Sequence, residues 1–359
     1  MKALWVFVFL ISSLSSKSQK IIPRLIERDE AAEFERVDSF RTLHLMFAGN
    51  IYQNEEQIKN SYKPSENRYD FTYQFKNIQP ILNLADITVA NLKTAFTGDA
   101  ASPHSSPDEL ALAIKYSGIN VVCLANSNIL SLKKEELSRT QQLLNSMDIV
   151  YTGAYTGNIQ RNGNNPLIIF RKGFRIALLN YMVISNRAAL PAELLVNEAD
   201  KSLIERDIRA AKYQSADFII IYFDWGSNMQ DIPSYSQQNL ARWCFEQGAG
   251  LIVGVHPNAV MPMEFIEYYQ NATPSSGLVA YSLGNLISAS ADMKNRNGFI
   301  LDVELKKNNY TGSVKLGEYG FIPVWNYYDT VSAPKSAKVY AVPSVAVQNG
   351  QVFKKNTLH

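Results

Sequence analysis

The chain has 359 residues, 46% hydrophobic and 19% charged, a balance that excludes a disordered polymer and suffices for one large or two small domains. Its formal net charge is only +2, too little for the broad basic surface that non-specific nucleic-acid binding requires. Export without further anchoring and an uncharged mature surface are the expectations that follow from the first twenty residues, considered next.

MKALWVFVFLISSLSSKSQK begins with a basic residue, Lys2, runs through an apolar stretch from Ala3 to Leu14, and turns serine-rich. Such a stretch is too short to cross a bilayer as a helix and fits a secretory signal, cleaved after Ser18 (residues 1–18). Its removal takes Lys2 and Lys17, so Lys plus Arg falls from 35 to 33 against 33 Asp plus Glu. No later apolar run reaches membrane-spanning length. The mature protein is therefore expected in the periplasm or secreted, with no transmembrane anchor. Cys123 and Cys244 each sit inside an apolar-patterned element and read as two buried thiols rather than a bridge.

From residue 43 onwards strand-like and helix-like patterns alternate. LHLMFAG (43–49) reads as a strand, DFTYQFKNIQPILNLA (70–85) has helical spacing interrupted by Pro80, and ITVANL (87–92) returns to a strand. PDELALAIKYSG (107–118) starts and stops as a helix should. INVVCLAN (119–126) is a buried strand, KKEELSRTQQLLNSM (133–147) an amphipathic helix, and NPLIIF and RIALLNYMV are strands. LPAELLVNEADK (190–201) is irregular, residues 199–213 are helical, and DFIIIYFDW (217–225) is the strongest strand. A helix over 234–248 and the strand GLIVGV (250–255) follow. Apolar strands separated by helices predict an α/β fold with a largely parallel sheet. Beyond 260, short strands between Gly, Asn and Pro turns predict added antiparallel sheet with no helix.

In open α/β sheets the carboxyl ends of the strands carry the ligand site. Here those ends deliver Asn50, Asn91 and Lys93, Asn126 and Asn128, Asp224, and His256 with Asn258. Each alone is an ordinary cap or turn former; the repetition over five strands is what points to a binding cleft. Other constellations are weaker. TGAYTGN (152–158) lacks the Lys-Ser/Thr of a phosphate-binding loop, no G-x-S-x-G elbow occurs, and His44 and His104 read as structural or solvated.

The ordered motifs FAGNI (47–51), ADITVANLKTAF (85–96), ANSN (125–128), FDWG (223–226), GVHPN (254–258) and YSLGN (281–285) resemble the CapA-type capsule-synthesis family of poly-γ-glutamate formation. That family is similar to the calcineurin-like metallophosphatases. The resemblance implies a four-layer α/β/β/α sandwich over residues 43–290, completed by C-terminal strands in 291–359. It also implies a polyglutamate- or saccharide-like envelope polymer, or an envelope protein, as partner.

The chemistry departs from the family's. Gly49-Asn50 stands for G-D, Asn91-Leu92-Lys93 for N-L-E, Ala125-Asn126-Ser127-Asn128 for A-N-N-H, Asp224-Trp225-Gly226 for H-W-G, and Gly254-Val255-His256-Pro257-Asn258 for G-H-H-P-H. A two-metal site needs several carboxylates and imidazoles around ions about 3.5–4 Å apart. This rim offers Asp224, His256, neutral amides and an ammonium. No metal cofactor is expected, a single weakly held divalent ion being the most the rim offers. Lys93 is expected to fill the vacated cation position and pair with Asp224. The resulting expectation is a non-catalytic, ligand- or partner-binding pseudo-enzyme. The alternative is a metal-dependent hydrolase or phosphoesterase with a reduced site, and any residual catalysis would fall to Asp224, His256 and Lys93.

Overall fold

The alternation of apolar residues along the strands is resolved by two sheets that share one face. A computed structural model describes residues 39–98, 104–183, 193–228, 230–270, 272–290, 292–328, 337–341, 345–348 and 351–354. The expected export signal lies outside them, as do parts of the 190–201 and C-terminal segments.

The first sheet runs in the order Ala337–Ala341, Val314–Tyr328, Asn297–Asn308, Phe40–Ile51, Ile87–Leu92, Val121–Cys123, Val150–Thr152. Its last four strands are parallel, and the C-terminal strands are antiparallel. The second sheet runs Met263–Gln270, Thr273–Ala280, Leu251–Val255, Phe218–Asp224, Phe174–Met182, Leu167–Arg171, parallel in its centre. The region beyond 260 is thus only partly the antiparallel addition expected. Thr273–Ala280 pairs parallel with Leu251–Val255, and Asn285–Ile287 parallel with Phe40–Ile51. Most of the C-terminal strands thus extend the two main sheets, while Val345–Gln348 and Gln351–Lys354 pair as a separate antiparallel two-stranded sheet.

Period-two alternation sorts the side chains into layers. In Phe218–Asp224, Phe218, Ile220 and Tyr222 face the other sheet, while Ile219, Ile221 and Phe223 face helices Lys201–Tyr213 and Tyr235–Gln247. In Phe40–Ile51, Leu43, Leu45 and Phe47 face inward, while Met46 and Ala48 meet a helical layer that includes Glu109–Tyr116 and Lys134–Ser146. The result is a four-layer α/β/β/α sandwich with one apolar core between the sheets and one beneath each helical layer. Pro80 divides residues 70–85 into the short helices Thr72–Phe75 and Gln79–Leu82, sitting in the first turn of the second, where its missing N–H costs nothing. Cys123 lies in the inter-sheet core and Cys244 under the second helical layer, both buried free thiols. Among the described residues no helix is long and apolar enough to cross a membrane.

One irregularity positions the site. Between Ala48 and Asn50 the pairing of Phe40–Ile51 with Ile87–Leu92 slips, so that Ala48 pairs Ala90 but Asn50 pairs Asn91. The extra residue, Gly49, turns Asn50 from the helix face, which strict alternation would give it, to the inter-sheet face. Gly49 packs so closely on the Gly284 backbone that an added Cβ would overlap the Gly284 carbonyl oxygen. Asn50 N–H donates to that same carbonyl at 3.0 Å. Across the core, the buried Tyr222 hydroxyl donates to the Ala48 carbonyl at 2.7 Å and ties the second sheet to the bulge.

At the opposite end of the first sheet, His44 offers both ring nitrogens to acceptors, the Asp302 carboxylate and the Leu84 carbonyl. Both bonds require both nitrogens protonated, so the hydrogen bond to Asp302, which outweighs the opposing burial, raises the His44 pKa.

Two outcomes follow. Gly49→Ala lowers stability by about 1–3 kcal/mol, read as a fall in urea midpoint at unchanged m. Since the folded pKa of His44 is raised, its contribution is fully present below the unfolded value near 6.5 and lost as pH rises through the folded one. The stability difference between wild type and His44→Gln therefore shrinks across that interval in a denaturation series against pH.

Candidate functional site

Where the central strands of both sheets end, the apolar core gives way to a layer of amides. Asn50, Asn91 and Asn126 are fully buried at the ends of the first sheet, and their side chains form a directed series. Asn126 Nδ2 donates to Asn91 Oδ1 at 3.2 Å and to the Leu92 carbonyl at 2.9 Å. Asn91 Nδ2 donates to Asn50 Oδ1 at 2.8 Å and to Asp224 Oδ2 at 3.3 Å. Asn50 Nδ2 donates to Asn285 Oδ1 at 2.9 Å and Asn258 Oδ1 at 3.2 Å, and Asn258 Nδ2 passes on to Asn228 Oδ1 at 2.9 Å. Asn128 stands at the edge: its N–H donates to Asn126 Oδ1 at 3.1 Å, and its amide holds the Lys93 carbonyl at 2.6 Å.

The physical logic is that an amide carries both donor and acceptor, so a cluster of amides satisfies itself. A cluster of carboxylates accepts only and must import cations.

Three charged or titratable side chains complete the rim. Asp224 closes its strand and is buried. His256 follows Val255 with φ at +103°, and its Nδ1 lies 3.0 Å from Asp224 Oδ1. Only a protonated Nδ1 makes that contact favourable, since a carboxylate oxygen can only accept. Such backbone strain in a non-glycine residue persists only where the surroundings enforce it. Lys93 is 5% exposed, and its Nζ stands 3.5 Å from the same Nδ1. That nitrogen therefore lies between the ammonium and the carboxylate, within reach of both. The direct Lys93–Asp224 ion pair expected from the sequence is therefore replaced. Lys93 does point into the rim, but the imidazole, turned inward by the His256 backbone, takes the carboxylate.

The structure thus brings together all eight rim residues read from the sequence: Asn50, Asn91, Lys93, Asn126, Asn128, Asp224, His256 and Asn258. Sequence reasoning missed Asn285, which is buried and accepts from Asn50, and Asn228 at the end of the series. Asn285 ends the YSLGN motif, the one signal that could have found it. It also missed His104, set aside as a loop residue. Its carbonyl accepts from Ala95 N–H at 2.9 Å and Thr94 Oγ1 at 2.8 Å, which brings it beside Lys93. Burial, and then the Lys93 charge, hold the His104 pKa below its ordinary value.

The donor set does not fit a dinuclear cation centre. Among the described residues no group of three or more His, Cys, Asp or Glu side chains forms. Asp224 and His256 are committed to each other, and an ammonium at about 4 Å repels each unit of cation charge by about 4 kcal/mol at an effective dielectric near 20.

The layered sandwich carries this rim at the junction of its two sheets, at the ends of their central strands. The chain belongs to the bacterial capsule synthesis protein PGA_cap family, which it matches over residues 44–290. It is 25% identical over 259 residues to the capsule biosynthesis protein CapA of Bacillus anthracis, covering 67% of this chain and 60% of that one. It is 26% identical over 247 residues to the PGA biosynthesis protein CapA of Bacillus subtilis, covering 65% and 61%. The chain thus spans about three fifths of the length of these relatives. Among solved structures it is similar to the calcineurin-like phosphoesterase YfkN of Bacillus subtilis, at TM-score 0.47 and 13% identity over 79% of this chain and 90% of that one. It is also similar to a 5'-nucleotidase of Candida albicans, at TM-score 0.40 and 11% identity over 72% and 46%.

The two charges respond oppositely to removal. Asp224→Ala removes one of the two acceptors of the buried Asn91 amide and the carboxylate facing His256, and lowers stability by about 2–4 kcal/mol. Lys93→Met removes a buried charge that has no counter-ion and leaves the protein at least as stable as wild type. Chemical denaturation of both variants checks the pair of outcomes.

Proposed function

We propose that this protein is exported and acts in the biosynthesis of a capsule-type envelope polymer of the poly-γ-glutamate class. In this reading its cleft binds the polymer or a protein partner without a metal and without phosphoester hydrolysis. The observation that carries the reading is Lys93, a buried ammonium at the centre of a rim whose neighbours are amides joined to one another. The family and its two CapA relatives support the biosynthetic role. Loss of the carboxylates that would hold two cations supports a binding rather than a hydrolytic task.

Mass-spectrometric metal analysis, after expression with manganese, zinc and iron and subsequent dialysis, tests the metal-independent part. The expected result is less than a tenth of an ion per chain, and no turnover of bis(p-nitrophenyl) phosphate. Lys93→Glu, which returns a carboxylate to the rim, is expected to gain divalent-ion affinity. One or two retained ions together with Asp224-dependent turnover would establish the reduced-site hydrolase instead. Deletion of the gene in its host, with extracellular acidic polymer weighed before and after complementation, tests the biosynthetic role, and unchanged polymer overturns it.

A further inference from the structure

Lys93 has a property that the metal-free reading alone leaves unexplained. Its backbone is fixed at both ends, N–H to the Ile51 carbonyl at 3.0 Å and carbonyl to the Asn128 amide at 2.6 Å. The side chain is carried inward from that fixed point. Its one hydrogen-bond-range neighbour among the described residues is His256 Nδ1, at the long distance of 3.5 Å. That long contact engages at most one ammonium hydrogen, and among the described residues no carboxylate pairs with the Lys93 charge. The fold treats its other deeply buried cation differently. Arg161 is paired with the buried Asp207 at 2.5 Å and with Asn197 at 2.8 Å. A buried charge left without a partner is strongly unfavourable, and the arrival of an anion relieves it.

We propose that the Lys93 ammonium is a seat for one carboxylate group of a ligand, bounded by His256 on one side and His104 on the other. The charge balance selects the class. A singly charged carboxylate matches the single charge of the unpaired ammonium, whereas a dianionic phosphate brings a second negative charge close to the Asp224 carboxylate. A carboxylate oxygen accepts from the ammonium with the short charge-assisted geometry that His256 cannot provide. Both histidines that bound the seat reach solvent, His104 being exposed and His256 partly so. This seat rests on the metal-free reading of the cleft and adds the group that the cleft recognises.

Calorimetric titration of the protein at fixed ionic strength tests it, with γ-glutamyl-glutamate, acetate and inorganic phosphate as probes. The expected result is saturable binding of γ-glutamyl-glutamate and weaker binding of acetate, each reduced at least tenfold in Lys93→Met. Lys93→Arg, which keeps the charge, retains binding within about threefold of wild type, and Lys59→Met at an exposed helix position leaves it unchanged. Tighter binding of phosphate, equal binding by Lys93→Met, or no binding of either carboxylate by wild type overturns the proposal. Metal analysis of the same samples separates the two claims. Tightly held metal defeats the metal-free reading, whereas metal-free protein whose carboxylate binding ignores Lys93 defeats the seat alone.

Discussion

Strands from both sheets exhaust their apolar side chains at the same edge, after Phe47 and Val89 on one side and Tyr222 and Val255 on the other. The residues that follow remain buried, because the sheets stay in contact beyond that point. Whatever occupies this edge must be polar enough to end the core and still have every polar atom satisfied away from water. Carboxylates and imidazoles gathered around cations are one way to meet that requirement. In this protein it is met by amides that donate to one another and by one carboxylate held between Asn91 and His256. The bulge at Gly49, the Tyr222–Ala48 hydrogen bond and the turn at His256 all serve the same end, since each directs a polar group into that layer.

The exchange of carboxylates for amides changes what the edge can do. A set of acceptors around cations is a Lewis-acid device, able to clamp an oxygen that is attacked or expelled. A set of paired amides is stiff and electrically quiet, and its only unbalanced element is the ammonium of Lys93. In the function proposed above, recognition of an anion takes the place of chemistry that depends on cation charge. The family relation sets the biological context in which such recognition is read, while the residues themselves set its sign.

Much of this was legible in the sequence. Runs such as FIIIYFD and the helix signals between them specify buried strands and crossovers, and the polar residue after each run marks the common edge. Burial on both faces of a central strand leaves so few alternatives that local pattern and final structure coincide. Three features were not legible, each because it depends on contacts distant in sequence. Asn50 reaches the cleft only through a one-residue slip enforced by the Gly284 backbone, which alternation cannot show. The choice of His256 over Lys93 as the partner of Asp224 depends on a positive φ at a non-glycine residue. The parallel pairing of Thr273–Ala280 depends on which edge of the second sheet was still open.

The amide series also has a direction. Asn126, Asn91 and Asn50 each donate toward the next, and two groups that can only accept, the Leu92 carbonyl and the Asp224 carboxylate, hold that polarity. No single amide can turn over without placing two hydrogens or two oxygens face to face with its neighbour. The series therefore behaves as one element with a fixed sense, and Asn228, well beyond the end of its own sheet, takes its orientation from groups buried in the other.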